Sequence, residues 1–274
     1  MTNSTTNFVK IIKEIAQEEG IRLTSYSYDW IFRLEKDQKS RYIIGYQFGL
    51  NAGSVQSLCS DKSAASDVMT SLGIPNVPHF YFMAPEEQHY IGERGNWSEL
   101  LSLLSKYEDL VVKPNEGTGG DDVYRVRTPF ELERAVSEIF RHSTDLAVSP
   151  YQPIAHEYRV IVLDGQIRLI FHKERAKDPQ TGEYLTWKHN LGLGASAVIE
   201  EDPALKERLS SIVQMVYEKM DLRFASVDIV EVDGTYRVLE INSGVMMEFF
   251  SRQSAETYAM AKEIYRDAIR KMFA

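Results

Sequence analysis

Three oxygen-bearing side chains stand close together in residues 224–243, which read FASVDIVEVDGTYRVLEINS: Asp228, Glu240 and Asn242. Two β-rich runs flank Asp233-Gly234, and this pattern predicts a β-hairpin. Side chains alternate between the two faces of a strand, so Glu240 and Asn242 share a face. Two carboxylates and an amide that converge from a hairpin form an all-oxygen site suited to Mg²⁺ and phosphate. The alternative interpretation is an ordinary hairpin with polar residues on a solvated face.

The length of the hairpin loop decides whether Asp228 lies on the same face as Glu240. A two-residue loop puts the two side chains on opposite faces, whereas the three-residue loop 233–235 sets them directly across from each other. The three-residue loop also places Glu231 opposite Arg237, an opposite-charge pair across the strands. We therefore expect a loop of odd length.

A glycine-rich loop at residues 116–120, EGTGG, lies between two predicted strands, 109–113 and 123–126. Glycines at the tip of a hairpin let backbone N–H groups approach phosphate oxygens, although a glycine-rich turn without a ligand is commoner. The loop matches neither the Walker pattern nor the dinucleotide-binding fingerprint. Lys113, just before the loop, and Lys62 would direct positive charge at the same phosphates.

Composition limits the class of protein. The chain has 274 residues, a formal net charge of −9 and one cysteine, Cys59. The negative charge and the absence of a Lys/Arg run argue against a nucleic-acid partner. One cysteine supplies neither a disulfide framework nor a thiolate metal site. The polar N-terminus and the absence of an 18-residue apolar run argue against secretion and a membrane partner, so we expect a cytoplasmic protein.

The elements that must position these residues are helices and strands mixed without regular βαβ alternation, a pattern that predicts an α+β fold. An amphipathic stretch from Phe8 ends at Gly20, a residue typical of a helix C-terminus. Thr128 to Glu131 forms a capping box at the start of another helix. The first 60 or so residues are too few for a comfortable independent domain, so we expect them to pack on later parts of the chain.

Taken in order, Asp61-Lys62, the VVKP segment with its glycine loop, the HEYR segment, and VDIV with EIN resemble the ATP-grasp superfamily of carboxylate–amine ligases. The ribosomal-protein glutamate ligase and glutathione synthetase branches are the nearest in pattern. The resemblance covers about Ser60 to the C-terminus and implies two α+β subdomains that clasp ATP. A short N-terminal α/β segment, 1–60, would precede an ATP-grasp domain, 61–274. Residues of about 61–150 would form the nucleotide lid and hinge, and residues 151–274 the metal and substrate side.

The resemblance also implies site residues. Those that contact the phosphates, adenine or ribose of ATP would be Lys62, Lys113, Gly117, Thr118, Gly119, Gly120, Ser149, Tyr151 and Glu157. The ligands of Mg²⁺, two ions with Mn²⁺ as the alternative, would be Asp228, Glu240 and Asn242. The catalytic residues would be Arg159, Arg175 and Asn190. A bidentate arginine suits both an acyl phosphate and a substrate carboxylate. Lys188 and His189 are either part of this basic cluster or ordinary loop residues, and Asp121 and Asp122 have no assigned role.

The implied activity is an ATP-dependent ligase that joins a carboxylate to an amine through an acyl phosphate and releases ADP and phosphate. Two alternatives stay open: a small-molecule kinase, with His189 as the candidate base, and a non-catalytic ATP-binding module. The substrates would be a small molecule or peptide with a carboxylate, and an amine acceptor. The sequence identifies neither substrate and leaves the oligomeric state open, with a homodimer among the alternatives.

Overall fold

The computed structural model describes residues 6–90, 95–117, 119–189 and 191–274. Within these residues the α-helices are α1 Asn7–Glu18, α2 Gly53–Ser60, α3 Lys62–Ser71, α4 Trp97–Tyr107, α5 Pro129–Ile139, α6 Pro203–Met220, α7 Glu248–Ser251 and α8 Ala255–Phe273. The strands are β1 Arg22–Tyr26, β2 Ile31–Lys36, β3 Lys39–Ile44, β4 Phe80–Met83, β5 Leu110–Pro114, β6 Tyr124–Val126, β7 Asp145–Pro150, β8 His156–Leu163, β9 Gln166–Glu174, β10 Ser196–Ile199, β11 Phe224–Val232 and β12 Thr235–Asn242. None of the helices described is both long and apolar enough to cross a membrane.

The chain divides into two compact units, each assembled from separate stretches. The first unit contains the chain up to Gln56 together with residues 158–227 and 242–274, and the second contains residues 57–157 and 228–241. The chain passes from one unit to the other within α2, β8, β11 and β12. The N-terminal stretch shares the first unit with the C-terminal helix. The division of the chain into residues 1–60 and 61–274 stays a prediction.

The core of the first unit joins α1 to α8. The ring of Phe8 meets the ring of Tyr265 edge-to-face at 5.3 Å, and Phe48 stacks on the same tyrosine at 5.3 Å. The carboxylate of Glu248 accepts hydrogen bonds from the backbone N–H groups of Asn7 and Phe8, each at 3.0 Å, and so caps α1. The expectation that the opening residues pack on later ones is confirmed.

The second unit is built on a four-stranded antiparallel sheet with the order β4-β7-β5-β6. One face carries apolar side chains that pack with those of α4 and α5, among them Phe82, Leu110, Val112, Leu146 and Val148. Side chains alternate along a strand, so the opposite face carries Tyr81, Lys113 and Ser149. The register sets Lys113 directly across from Ala147, which is two residues before Ser149. The sheet therefore presents an apolar face to its helices and a polar face on the other side.

The hairpin of β11 and β12 closes with a two-residue turn. Asp233-Gly234 has φ angles of 49° and 72°, which are the signature of a type I′ turn. The predicted odd-length loop is therefore wrong. Type I′ geometry matches the twist of the strands, and an exposed opposite-charge pair contributes only about 0.2–1 kcal/mol, too little to override it. Asp164-Gly165, with φ angles of 48° and 74°, closes β8 and β9 in the same way.

Candidate functional site

Lys113 on β5 is the charged residue around which the candidate site is built. It is 7% exposed, and its Nζ lies 3.9 Å from Oε2 of Glu240. The pKa of Lys113 is lowered to about 8, with burial as the largest cause. The charge of Lys62 acts in the same direction, and the charges of Glu240, Glu157 and Asp228 oppose the shift. The ammonium is therefore charged at neutral pH, in a buried position among three carboxylates.

The two carboxylates predicted as metal ligands differ in exposure. Asp228 on β11 is 2% exposed, whereas the side chain of Glu240 on β12 is 24% exposed. In a regular hairpin the two-residue turn would set them on opposite faces, yet the charges of both raise the pKa of Lys113. The predicted register therefore does not bring the two carboxylates together, and what they share is an electrostatic interaction with Lys113. Asn242 is the last residue of β12 and belongs to the first unit.

Metal-binding clusters rich in acidic, histidine or cysteine side chains are absent from the part of the chain that the structure describes. No group of three or more such side chains there is arranged to hold an ion. An ion bound to Asp228 and Glu240 would need further oxygen ligands, which an amide side chain, a phosphate or water can provide.

Lys62, the first residue of α3, reaches the base of the glycine loop. Its Nζ donates to the carbonyl oxygens of Asn115 at 3.2 Å and Gly117 at 2.9 Å. Burial lowers the pKa of Lys62, and the charge of Glu240 is the largest opposing influence. The two lysines named from the sequence are thus electrostatically coupled, and both interact with the same glutamate.

The glycine loop lies between β5 and β6, as predicted. Gly117, Gly119 and Gly120 have φ angles of 114°, 89° and 75°, a region that residues with a Cβ rarely adopt. Thr118 lies outside the described residues. The loop therefore depends on glycine at each of these three positions.

The far end of the loop is anchored by Asp122, for which the sequence suggested no role. Its Oδ1 accepts a hydrogen bond from the hydroxyl of Tyr124 at 2.9 Å, and its Oδ2 lies 2.8 Å from Nε2 of His142. Its φ of 51° is one that aspartate tolerates better than most residues. Asp122 thus holds the loop where it joins β6.

The predicted hinge is the end of β7. Ser149 is 3% exposed and shares the polar sheet face with Lys113. Tyr151 follows the strand, and its backbone N–H donates to the carbonyl of Asp109 at 2.9 Å. The guanidinium of Arg125 lies 3.4 Å from the centroid of the Tyr151 ring. The backbone of the hinge is therefore hydrogen-bonded to the start of β5, despite the proline between Ser149 and Tyr151.

The predicted site residues are shared unequally between the two units. The second unit contains Lys62, Lys113, Gly117, Gly119, Gly120, Ser149, Tyr151, Glu157, Asp228 and Glu240. The first unit contains Arg159, Arg175 and Asn242. Asn190 lies outside the described residues. Within the second unit, the charges of Glu157, Asp228, Glu240 and Lys62 act on Lys113, Lys62 bonds Gly117, and Ser149 shares the polar sheet face.

Arg175 directly follows β9 and stacks on an aromatic ring that the sequence did not single out. Its guanidinium lies 3.7 Å from the centroid of Tyr184, and Nζ of Lys177 lies 5.0 Å from the same centroid. A short turn holds the ring there, because Leu185 donates its N–H to the carbonyl of Ala176 at 3.0 Å. Stacking occupies the flat face of a guanidinium and leaves its N–H edge for an anion.

His79 is a second residue that sequence reasoning missed. It is 2% exposed, and its Nδ1 lies 2.9 Å from the carbonyl of Val77. Burial, together with the charge of Lys113, keeps the pKa of His79 well below its usual range. The ring is therefore neutral, Nδ1 donates, and Nε2 is a buried acceptor without a hydrogen-bond partner in the described chain.

A family model and a curated protein match parts of this chain. A family model described as the RimK-like ATP-grasp domain matches residues 87–266. The tetrahydromethanopterin:alpha-L-glutamate ligase of Methanocaldococcus jannaschii is 24% identical over 153 residues, which are 53% of this chain and 49% of that protein. The chain thus spans about half the length of this curated relative.

Solved structures agree with the fold. The D-alanine–D-alanine ligase of Bacillus anthracis complexed with ATP has a TM-score of 0.60 at 21% identity, over 81% of this chain and 70% of that one. The D-alanyl-alanine synthetase A of Vibrio cholerae has a TM-score of 0.66 at 13% identity, over 97% and 93% of the two chains. At such identities the likeness shows the fold alone, and it confirms the predicted α+β ATP-grasp fold. Because the family model matches more than half of the chain, the protein belongs to the RimK-like ATP-grasp domain family, as its motifs predicted.

Proposed function

We propose that this protein is an ATP-dependent carboxylate–amine ligase that forms an amide or peptide bond and acts in the cytoplasm. The observation that carries the proposal is the buried, charged Lys113, which lies near Lys62 and interacts with the carboxylates of Asp228 and Glu240. Fixed positive charges beside acidic metal ligands are what binding of a nucleotide phosphate requires. Membership of a family whose named relatives are ligases supports this assignment over other uses of ATP.

In the proposed reaction a substrate carboxylate oxygen attacks the γ-phosphorus of ATP, and the bond to the ADP oxygen breaks. The amine nitrogen then attacks the carbon of the acyl phosphate, loses a proton, and displaces inorganic phosphate. Lys62 and Lys113 would neutralise the phosphates, and Arg159 and Arg175 would bind the acyl phosphate and the substrate carboxylate. No covalent protein nucleophile is needed. Cys59 fits this scheme, because burial raises its pKa to about 12 and keeps it a thiol.

The side chains proposed as metal ligands fit a hard divalent cation. Asp228 and Glu240 would supply carboxylate oxygens and Asn242 an amide oxygen, the ligand type that Mg²⁺ prefers, with Mn²⁺ as the alternative. When bound, two such ions would neutralise the charge on the transferring phosphate.

An assay of ADP and phosphate release across a panel of acids and amines tests the function. A ligase releases phosphate only when both an acid and an amine are present. A small-molecule kinase gives a phosphorylated product without an amine, and a non-catalytic ATP-binding module gives no turnover with any pair. Free amino acids and short peptides belong in the panel, because either kind of molecule carries both reacting groups.

Glu240→Gln is expected to lower turnover by roughly 100-fold or more, since the substitution removes one proposed metal ligand and its charge. The Tm should change by no more than a few degrees, because the side chain is partly exposed and contributes little packing. Glu231→Gln, on the other strand of the same hairpin, is the matched control and should keep near-normal turnover. Near-normal ADP release by Glu240→Gln would contradict the metal assignment.

A further inference from the structure

Asn115 connects the start of the glycine loop to the first turn of α3 through hydrogen bonds. The residue is fully buried, and its Oδ1 accepts hydrogen bonds from the backbone N–H of Ser63 at 3.1 Å and from the Ser63 hydroxyl at 2.7 Å. The carbonyl of Asn115 accepts from the backbone N–H and from Nζ of Lys62, each at 3.2 Å. One loop residue therefore receives four hydrogen bonds from two successive helix residues.

These bonds complete the N-terminus of α3. The first N–H groups of a helix have no acceptor within the helix and need one from outside. Asp61 accepts the N–H of Ala64 at 2.8 Å in the manner of an N-cap. Asn115 accepts the two N–H groups before it, those of Lys62 and Ser63. The helix start and the loop start are thus one hydrogen-bonded assembly, although they are far apart in sequence.

The orientation of the Asn115 amide follows from its partners. A backbone N–H can only donate, so the atom that faces Ser63 N must be the oxygen. Nδ2 then points elsewhere, and it is buried without a hydrogen-bond partner in the described ranges. An unpaired buried donor is unfavourable for folding. Asparagine is therefore not the residue that would make the folded state most stable here. Its acceptor atoms, which bond Lys62 and Ser63, indicate another role.

We propose that Asn115 is a positioning residue that holds Lys62 and the start of the glycine loop in the arrangement in which they bind ATP phosphates. The inference rests on the proposed function, which assigns ATP to this loop. The Lys62 ammonium stands on a flexible four-carbon stem, and among the described residues its Nζ donates to two loop carbonyls, those of Asn115 and Gly117. A displaced loop base therefore displaces the ammonium as well. Without Asn115, ATP binding would have to order both groups, which weakens affinity.

A double-mutant cycle of Asn115→Ala and Ser63→Ala tests the inference, with ATP and Mg²⁺ affinity measured by calorimetric titration. Asn115→Ala should weaken ATP binding by about 10-fold or more and raise the KM for ATP more than it lowers kcat. Ser63→Ala should have a smaller effect in the same direction. The double variant should bind ATP about as weakly as Asn115→Ala alone, because the shorter of the two contacts of the Ser63 hydroxyl is the one to Asn115, at 2.7 Å against 2.9 Å to Oδ1 of Asp61. Ser63→Ala also keeps the test usable if Asn115→Ala fails to fold.

Ser66→Ala is the matched control, because Ser66 lies one turn further along α3 and is equally buried. Its hydroxyl accepts from the His79 backbone N–H at 2.9 Å and donates to Asn76 at 3.0 Å. We expect a lower Tm for this variant, with ATP affinity within about twofold of wild type. A matching loss of ATP affinity in Ser66→Ala would overturn the inference, since it would reflect a general loosening of α3.

Hydrogen exchange of the protein without nucleotide separates this inference from the proposed function. Asn115→Ala should speed exchange of the Lys62 and Ser63 amides, whatever the ligand is. Faster exchange with unchanged ATP affinity would overturn the positioning role and leave the ligase proposal intact. A wild-type protein that binds no ATP would overturn both.

Discussion

Lys113 is held in a position that is unfavourable for a charged side chain. Burial shifts its pKa from 10.5 to about 8, which corresponds to roughly 3 kcal/mol in favour of the neutral form. Between pH 8 and pH 10.5, approximately, Lys113 therefore binds a proton less readily in the folded state than in the unfolded state. It follows that this group lowers stability at neutral pH and that its contribution improves as the pH rises from about 8 towards 10.5.

Lys113→Met should therefore raise the Tm by a few degrees at pH 7 while it abolishes ATP binding. The difference in Tm from wild type should narrow as the pH rises above about 8, because the wild-type lysine then loses its proton. Thermal unfolding from pH 7 to pH 10 and calorimetric titration with ATP measure the two effects. Lys10→Met, at an exposed position on α1, should change neither. A Tm that falls by several degrees in Lys113→Met would show that the nearby carboxylates need the ammonium for stability.

The charged residues of the proposed site can be named from the sequence more readily than the residues that contact them. Lys62, Lys113, Asp228 and Glu240 could be named because charge type and order along the chain suffice to suggest phosphate and metal chemistry. Asn115 could not be assigned a role, because its partner Ser63 is 52 residues away and only the fold brings them together. Positioning residues of this kind leave no local pattern.

At the scale of elements, a local signal predicted the start of α5, because the capping box of Thr128 and Glu131 is present. The loop of the β11–β12 hairpin was predicted wrongly because a charge pair was given more weight than the turn type that Asp233-Gly234 favours. Backbone conformation at the turn decides register before side-chain charges do.

The segment after β9 offers a prediction at the same scale, because Tyr184 supports Arg175 from one side of its guanidinium. Tyr184→Leu should raise the KM for the carboxylate substrate by about 5- to 10-fold, with little change in the KM for ATP, as expected for the loss of a cation–π contact of 1 kcal/mol or so. Tyr184→Phe keeps the ring face and should behave like wild type. Steady-state kinetics with each substrate varied in turn measure the two KM values separately. Equal effects of the two variants, or a rise in the KM for ATP alone, would contradict this role.

At the scale of the whole molecule, the N-terminal stretch is part of a core and not an appendage. Its most buried apolar side chains include Phe8, Ile11, Ile12, Ile15, Phe32, Leu34, Ile43 and Phe48. Asn51 adds a polar connection, because its side chain accepts the N–H of Phe224 and donates to the carbonyl of the same residue. The short length of this stretch indicated that it packs on later parts of the chain, but periodicity alone could not identify α8 and β11 as the elements it contacts.

A chain truncated so that it begins at Ser57 should therefore lose cooperative unfolding of the first unit. Removal of these side chains would uncover the face of α8 around Tyr265, and each large side chain lost from a core forfeits about 1.5–3 kcal/mol of burial. Calorimetry and binding of a hydrophobic dye would detect the change. Addition of residues 1–56 as a separate peptide is the control and should restore part of the transition. If the truncated chain unfolded as cooperatively as the full chain, the core shared by residues 1–56 and α8 would be contradicted.

The two hairpins that close on Asp-Gly should age at different rates. In such a pair the glycine nitrogen can attack the aspartate side-chain carbonyl, and hydrolysis of the resulting ring inserts a methylene into the backbone. Arg223 and Lys271 bond the carboxylate of Asp164 at 2.8 and 3.1 Å, and Tyr217 crowds the glycine that follows. Asp233-Gly234 is exposed, with nothing within 4 Å of the position that a glycine Cβ would take.

Storage at 37 °C should therefore produce isoaspartate at Asp233 and little at Asp164, as peptide mapping would show. Comparable isoaspartate at both positions would contradict protection by the ion pairs. Because Asp228 and Glu240 stand on the two strands that this turn joins, one added backbone atom at Asp233 would shift one strand against the other. The shelf life of the enzyme would then be set by a turn that takes no part in its chemistry.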